Sequence, residues 1–318
     1  MYEKPNSELW SGRVDSEDGE LGKRWHEKID FLSYPYVKKS GIAFLGFECD
    51  EGVRRNKGRI GAAQGGDKLK KAMGGFAYHL ENSRLYDAGK VVATIDLESS
   101  QSHLSLHVSK LIKNNHFPII LGGGHEVAYA SYLGFYDSLE SKKSIAIINF
   151  DAHFDLRLSD EATSGTPFAQ IADFCQANNR AFDYMCLGIS QAANTQALFK
   201  RAKDLHVRFI DDTKMTYHHL EKIKKELDNF LQSKEHIYIT IDTDVFAARF
   251  VPAVSAVAAR GIEINLVYDL LEYLFLTYQK KIGLVDIAEF NPSYDINDIG
   301  CKTVARLIYD IVKLRDKR

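Results

Sequence analysis

Short apolar runs, several of them continuous, recur along this chain and alternate with longer segments of helical periodicity. The runs lie near residues 42–47, 90–93, 117–121, 145–150, 184–189, 207–210, 236–241 and 282–287. Continuous apolar runs, as opposed to alternating ones, are typical of strands that are covered on both faces. This order predicts an α/β fold, a three-layer αβα sandwich around a mostly parallel sheet of about eight strands. A closed barrel is the alternative, but the pattern starts late and the helical segments differ in length.

The segments between the apolar runs carry apolar residues three and four positions apart, which predicts helices. Examples lie at residues 104–112, 220–231 and 304–312. Residues 1–40 are polar and irregular, and we expect them to form an N-terminal extension that packs on the rest. No linker or internal repeat divides residues 41–318, which we therefore predict to form a single domain.

Charge and cysteine content narrow the class of protein. The 318 residues include 41 Lys and Arg and 43 Asp and Glu, a formal net charge of −2 that gives no general reason to bind nucleic acid or membranes. The four cysteines, Cys49, Cys175, Cys186 and Cys301, are scattered and predict reduced thiols. The first residues lack the basic and apolar regions of a signal peptide. No apolar run reaches the length of a membrane span. We expect a soluble, cytoplasmic protein.

The apolar run at 145–150 ends abruptly in Asp151, His153 and Asp155. Residues two apart in an extended backbone point to the same side, so this spacing directs three potential metal ligands to one place. That place lies beyond the carboxyl end of the strand, where open α/β sheets bind ligands. Acidic residues after a strand also often cap a helix, and the triplet alone does not decide between the two interpretations.

Three further runs end in residues that can bind metals or cations. His125 follows the glycines at 122–124, Asp242 and Asp244 follow the run at 236–241, and Glu289 follows the run at 282–288. Each motif alone has an ordinary interpretation as a helix start or a solvated turn. Together, two histidines and four aspartates at one edge of a parallel sheet would repel each other strongly if no cation were bound. Two divalent cations would neutralise that charge, and mixed carboxylate and imidazole ligands favour manganese and related ions.

The motifs Gly122-Gly-Gly-His125, Asp151-Ala-His153-Phe-Asp155 and Asp242-Thr-Asp244 resemble those of the ureohydrolase (arginase/agmatinase) family, over about residues 41–315. These αβα enzymes hydrolyse guanidino or amidino groups at a binuclear manganese centre. The resemblance implies two Mn²⁺ per chain, a small-molecule substrate and a homo-oligomer. One ion is expected at His125, Asp151, Asp155 and Asp242, and the other at Asp151, His153, Asp242 and Asp244.

Longer segments, at 52–62, 163–168, 186–190, 254–261 and 286–292, resemble the branch that hydrolyses N-formimidoyl-L-glutamate to L-glutamate and formamide in histidine degradation. Asp155 then matches the carboxylate that passes a proton to the departing nitrogen. Glu289 matches the carboxylate that pairs with the planar cationic group of the substrate. The alternatives are another amidinohydrolase, such as a guanidinobutyrase or agmatinase, and an inactive metal-binding member. A two-metal phosphoesterase is disfavoured because the glycine–histidine motif precedes the Asp-x-His motif.

An acidic substrate would need positive charge in the site. Arg157 stands where arginases have an asparagine that touches the substrate α-carboxylate, and an arginine there would suit a more acidic substrate. The other candidate substrate-binding residues are Arg54 in the arginine-rich loop with Arg55 and Arg59, then Arg260, Ser164 and Thr166. Surface ion pairs and solvated loops are the alternatives for the arginines. Agmatinase-like members have a histidine where this chain has Ser164, which leaves the proton relay to solvent open.

Overall fold

The computed structural model describes residues 1–93, 96–140 and 144–317. Within these ranges the strands are β1 (Tyr2–Glu3), β2 (Asp30–Phe31), β3 (Ile42–Glu48), β4 (Leu85–Val92), β5 (Phe117–Leu121), β6 (Ile145–Phe150), β7 (Asp183–Ile189), β8 (Arg208–Asp211), β9 (His236–Asp242) and β10 (Ile282–Ala288). The α-helices are α1 (Trp25–Lys28), α2 (Glu51–Arg55), α3 (Gly65–Met73), α4 (Leu97–Lys113), α5 (Val127–Ser138), α6 (Pro167–Ala177), α7 (Gln196–Asp204), α8 (Leu220–Leu231), α9 (Ile264–Tyr278) and α10 (Ile299–Asp316). Short 3₁₀ helices lie at Ser7–Leu9, Ser16–Gly22, Ala62–Gln64, Asp212–Lys214, Tyr217–His219, Thr243–Val245 and Pro292–Tyr294.

All strands belong to one sheet, in which the eight longer ones follow the order β4-β3-β5-β10-β9-β6-β7-β8. Every neighbouring pair in this order is parallel. The predicted mostly parallel sheet is confirmed, and each of the eight predicted runs overlaps one of these strands. The prediction of about eight strands omits β1 and β2, which pair with the outer edge of β4. Each has only two residues, too few to show a periodic pattern in the sequence.

Two hydrophobic cores lie on opposite faces of the sheet, which confirms the three-layer sandwich. Along β6, Ala146, Ile148 and Phe150 belong to one core, whereas Ile145 and Ile147 belong to the other. Helices α3, α8, α9 and α10 cover the first core, and α4, α5, α6 and α7 cover the second. Burial on both faces explains why the central strands β5, β6 and β9 are mostly apolar.

The predicted helices at 104–112, 220–231 and 304–312 lie in α4, α8 and α10. Helix α4 begins after Asp96, whose side chain accepts a hydrogen bond from the backbone N–H of Ser99 and so caps the first turn. Helix α6 begins at Pro167, whose fixed φ suits the first helical position. Helix α6 therefore directly follows the segment at 163–166, which contains the candidate substrate-binding residues Ser164 and Thr166.

The N-terminal residues pack on the sheet through a buried polar contact. Trp10 Nε1 donates a hydrogen bond of 2.8 Å to Asp87 Oδ2 in β4. Asp87 Oδ1 in turn lies 2.6 Å from the buried ammonium of Lys70 in α3. The division into an extension at 1–40 and a single domain at 41–318 stays a prediction. None of the helices in the described ranges combines the length and the apolar character that crossing a bilayer requires.

Candidate metal centre

Four neighbouring strands in the middle of the sheet, in the order β5-β10-β9-β6, carry the acidic and histidine motifs at their carboxyl ends. Because these strands are parallel, the loops that follow them open on one edge of the sheet. All six predicted ligands, His125, Asp151, His153, Asp155, Asp242 and Asp244, meet there in two groups that share Asp151. All six roles as metal ligands remain predictions.

The first group is centred on His125, which is completely buried. Its Nδ1 lies 3.2 Å from Asp151 Oδ2, 3.0 Å from Asp155 Oδ2 and 3.1 Å from Asp242 Oδ2. The potential ligand atoms of these four residues all lie within 4.8 Å of one another. One divalent cation could therefore contact all four side chains after small adjustments.

The second group consists of Asp151, His153 and Asp244. His153 Nδ1 lies 3.0 Å from Asp244 Oδ2 and 3.6 Å from Asp151 Oδ1. The family resemblance also implies Asp242 here, but among the described residues Asp242 groups with the first set alone. The Asp242 Oδ1 atom instead accepts a hydrogen bond of 2.8 Å from the backbone N–H of Asp244.

Polar side chains outside the two ligand groups orient Asp151 and His125. Asn149 Nδ2 lies 2.9 Å from Asp151 Oδ2 and acts as its donor. Thr240 Oγ1 lies 3.0 Å from His125 Nε2 and so leaves Nδ1 directed toward the carboxylates. Such outer contacts fix the ring orientation and tautomer of metal-binding histidines. The buried Oδ1 atom of Asp244 has no hydrogen-bond partner in the described structure, as expected of an oxygen that awaits a cation.

The electrostatics also favour a cation. Burial opposes protonation of His125, yet the three carboxylates around it raise its pKa well above the ordinary value. Burial and the Asp242 charge raise the pKa of Asp244 well above its ordinary value. Burial and the Asp151 charge raise the pKa of Asp155 to about 6. Neighbouring negative charge thus adds to the effect of burial on both carboxylates, and divalent ions would neutralise that charge.

The loops at this edge depend on unusual backbone geometry. A Cβ on Gly123 would lie 1.5 Å from the carbonyl oxygen of Cys49, so the glycine allows β3 and β5 to end side by side. Asp155 and Glu289 adopt the left-handed region, with φ of 46° and 63°. For residues other than glycine this conformation costs about 1–3 kcal/mol each and is concentrated at functional sites.

Glu289 follows β10 and is almost completely buried beside the ligand groups. Its Oε1 accepts a hydrogen bond of 2.9 Å from the backbone N–H of His125, and its own N–H donates to Gly123 O at 2.8 Å. Burial, followed by the charges of Asp242 and Glu126, raises its pKa well above the ordinary value. A cationic group would find a fixed carboxylate here, beside the metal ligands.

A cavity of about 300 Å³ opens onto this edge. It is lined by Asn56, Lys57, Gly58, Arg59, His153, Asp155, Arg157, Ser164, Asn194, Leu198, Asp242, Asp244, Ser255, Ala256 and Glu289. Both charge signs occur in this lining. The four acidic side chains belong to the ligand groups or to Glu289, and the cationic ones come from the segments at 57–59 and 157.

Some of the predicted substrate-binding residues line this cavity and others do not. Arg157 and Ser164 line the cavity. Arg260 lines a neighbouring cavity that His153 also borders. By contrast, of the described residues that line the 300 Å³ cavity, none is Arg54 or Thr166.

Arg54 and Thr166 make other contacts in the structure, and their roles in substrate binding stay predictions. The guanidinium of Arg54 lies on the exposed side of α2 and pairs with Glu51. Thr166 uses its hydroxyl to donate to the Thr163 carbonyl at 3.0 Å, which shapes the turn before α6. Arg55 also pairs with Glu51, and only Arg59 of the three loop arginines reaches the cavity.

Sequence reasoning missed Asn56, Lys57 and Asn194. Asn194 holds the metal-ligand loop, because its Oδ1 accepts from Phe154 N at 3.1 Å and its Nδ2 donates to Ala152 O at 2.8 Å. No sequence pattern connects residue 194 with that loop. Lys57 lies in the same segment as the three loop arginines. The direction of its side chain depends on a left-handed backbone, with φ of 62°, that the sequence does not reveal.

Comparison with known proteins points to one family. The arginase family model matches residues 40–313. A formimidoylglutamase of Chromobacterium violaceum is 47% identical over 304 residues, which cover 95% of this chain and 96% of that protein. The crystal structure of formimidoylglutamase from Bacillus subtilis superposes with a TM-score of 0.82 at 21% identity, covering 93% and 92% of the two chains.

A Trypanosoma cruzi formiminoglutamase structure with Mn²⁺ has a TM-score of 0.77 at 19% identity, covering 99% of this chain and 100% of that one. The structural likeness at these identities concerns the fold, whereas the family match and the 47% identity concern the sequence over nearly its whole length. Both agree with the resemblance carried by the metal motifs, and the chain therefore belongs to the arginase family.

Proposed function

We propose that this chain uses water to hydrolyse N-formimidoyl-L-glutamate to L-glutamate and formamide at a centre of two Mn²⁺. The observation that carries the proposal is the convergence of two ligand groups and Glu289 on one cavity that also contains cationic side chains. Relatives that carry the name formimidoylglutamase, 47% and 42% identical to this chain, support the choice of substrate.

His125, Asp151, Asp155 and Asp242 would hold one Mn²⁺, and Asp151, His153, Asp242 and Asp244 the other. The donor set consists of carboxylate and imidazole groups, which suit manganese, and the unpartnered Oδ1 of Asp244 agrees with this assignment. When bound, two such ions lower the pKa of a coordinated water and supply a nucleophile at neutral pH.

Glu289 would orient the substrate. The formimidoyl group is a planar cation, and a carboxylate held in place can accept two charge-assisted hydrogen bonds from it. Hydrogen bonds with His125 and Gly123 fix Glu289. This contact would bring the electron-poor carbon next to the ligand groups.

Asp155 would transfer a proton from the attacking water to the departing nitrogen. The oxygen of water adds to the formimidoyl carbon, and the bond between that carbon and the glutamate nitrogen then breaks. Asp155 would accept a proton from the attacking water and pass it to the departing nitrogen, so that formamide and glutamate leave. Its position supports this role, because it lines the cavity and its Oδ2 lies 3.0 Å from His125 Nδ1. Ser164, which accepts a hydrogen bond from Asn56 at 3.2 Å, stands where agmatinase-like members have a histidine.

A substrate panel tests the proposal. The protein loaded with manganese would be given formimidoylglutamate, arginine, agmatine and guanidinobutyrate, and release of formamide or urea would be measured. We expect turnover of the first compound alone. Comparable turnover of agmatine would overturn the assignment. Two equivalents of bound manganese without hydrolysis of any compound would instead indicate an inactive metal-binding member of the family.

A further inference from the structure

Three cationic side chains line the cavity, namely those of Lys57, Arg59 and Arg157. The guanidinium of Arg59 is occupied, because it donates to the carbonyl oxygens of Val254 and Ser255 and lies over the ring of Tyr294. Lys57 and Arg157 are exposed to the cavity. Within the part of the chain that the structure describes, neither forms an ion pair or a side-chain hydrogen bond.

The segment that presents Lys57 is held from both sides. Before it, Asn56 Nδ2 donates to Ser164 Oγ at 3.2 Å. After it, the backbone N–H of Arg59 donates to Ser255 Oγ at 2.7 Å. Lys57 itself adopts a left-handed backbone with φ of 62°, which is uncommon for a side chain of this length. Surrounding contacts must maintain such a conformation, and it places a free ammonium at the cavity.

Gly165 brings this segment next to Arg157. A Cβ on Gly165 would lie 2.7 Å from Arg157 Cδ and 3.2 Å from Asn56 Nδ2. The side chain of Arg157 and the residue before Lys57 therefore pack on the same glycine. The two free cations lie on adjoining parts of one wall.

We infer that Lys57 is a second anion-binding residue of this site and that Lys57 and Arg157 together select amidino acids with two carboxylates. The inference rests on the proposed function, and it names the two carboxylates as the feature of the substrate that the site recognises. Glu289 would pair with the cationic end of such a substrate, which leaves two negative charges for two unpaired cations. Arginine has one carboxylate and agmatine has none, so each would leave at least one cation without a partner.

The test compares three substrates that differ in one carboxylate. N-formimidoyl-L-glutamate has both, N-formimidoyl-L-glutamine has an amide in place of the side-chain carboxylate, and N-formimidoyl-4-aminobutyrate lacks the α-carboxylate. In Lys57→Met we expect the KM for the first to rise about 10- to 100-fold, the range of one charge-assisted hydrogen bond, with kcat changed less than about twofold. The KM for the analogue that lacks the carboxylate bound by Lys57 should not change.

Two variants keep the result interpretable. Lys57→Arg retains the charge and should recover most of the affinity. Lys68→Met makes the same substitution at a lysine on α3 that pairs with Asp298 outside the cavity, and it should behave as wild type. An unchanged KM in Lys57→Met, or an equal rise for all three substrates, would overturn the inference.

Binding of the product provides a readout that does not depend on turnover. Calorimetry on the protein loaded with manganese should show that Lys57→Met weakens binding of L-glutamate. Of the two comparison ligands, L-glutamine and 4-aminobutyrate, the one that lacks the carboxylate bound by Lys57 should bind the variant and the wild type equally. If the wild type hydrolyses no amidino acid but shows this difference, the proposed function fails while the role of Lys57 stands. If it hydrolyses formimidoylglutamate and the Lys57 variants show no difference, only the role of Lys57 fails.

Discussion

At the scale of single residues, Glu289 combines features that suit recognition of a cation. It is buried, its backbone is left-handed, and its Oε1 is already fixed by the His125 N–H. Burial, and after it the neighbouring negative charges, raises its pKa, and a cation that binds nearby would favour the charged form. The geometry keeps the side chain in one orientation before a substrate arrives, which reduces the entropy lost on binding.

Glu289→Gln should lower kcat/KM for formimidoylglutamate about 100-fold, because one charge-assisted contact with the substrate is lost. The glutamine carbonyl can still accept the hydrogen bond from the His125 N–H, so manganese content and thermal stability should stay near those of the wild type. Steady-state kinetics and metal analysis check this. Glu221→Gln, at an exposed position on α8, serves as the control. A variant with unimpaired kcat/KM would remove Glu289 from the mechanism.

The sequence did not reveal which cationic residues of the arginine-rich loop line the cavity. Arg54 and Lys57 are three positions apart in a segment rich in positive charge. The first belongs to α2 and turns toward Glu51, whereas the second lies beyond the helix and lines the cavity. The difference arises from the end of a five-residue helix and one left-handed residue. Neither has a reliable signal in the sequence.

At the scale of elements, the site depends on how closely the strand ends approach. Strands β3 and β5 are direct neighbours, and the loops after them meet where Gly123 contacts Cys49. Gly124 N–H donates to Cys49 O at 3.0 Å, so the contact is also hydrogen-bonded. This contact locates the loop that carries His125.

Gly123→Ala should destabilise the fold by about 3 kcal/mol or more, because the added methyl would overlap the Cys49 carbonyl and the backbone would have to move. The same movement should reduce manganese binding. Gly75→Ala is the matched control, since a Cβ there meets nothing within 4 Å, and its effect should stay within about 0.5 kcal/mol. Denaturant unfolding measures both free energies. Equal stability of the two variants would contradict this role of the glycine loop.

Most of the framework at this scale was predictable. Strands covered on both faces leave continuous apolar runs, and the ligands stand directly after those runs, so their place at one edge followed from the parallel sheet. The order of the strands was not predictable, because pairing of β10 between β5 and β9 joins segments far apart in the chain. For the same reason the sequence did not predict the roles of Asn194 and Thr240, because their contacts with the ligand loops join positions far apart in the chain.

At the scale of the whole molecule, the ligand groups bring together segments that follow three central strands, β5, β6 and β9. Residues from position 125 to position 244 meet around Asp151, which belongs to both groups. Ions bound there would join these segments and stabilise the folded state, because the unfolded chain offers no such arrangement. Without ions, the same carboxylates oppose each other.

We expect saturating manganese to raise the midpoint of thermal unfolding by about 8 °C, because a hundredfold excess over Kd contributes about 2.7 kcal/mol for each of the two ions. Titration should end at two ions per chain. His153→Asn and Asp155→Asn should each reduce this number to about one, and Asp151→Asn should remove both because the groups share this residue. A chelator should reverse the thermal shift. Full retention of both ions in Asp151→Asn would disprove the shared-ligand arrangement.

The left-handed backbones of Asp155 and Glu289 have a consequence for engineering. Asparagine and glycine adopt this region more easily than most residues, so relief of local strain favours them at both positions. A library screened only for heat resistance would be drawn toward these replacements, although each removes a carboxylate from the cavity. Efforts to make this chain more robust should therefore leave both positions unchanged and seek gains on the outer helices.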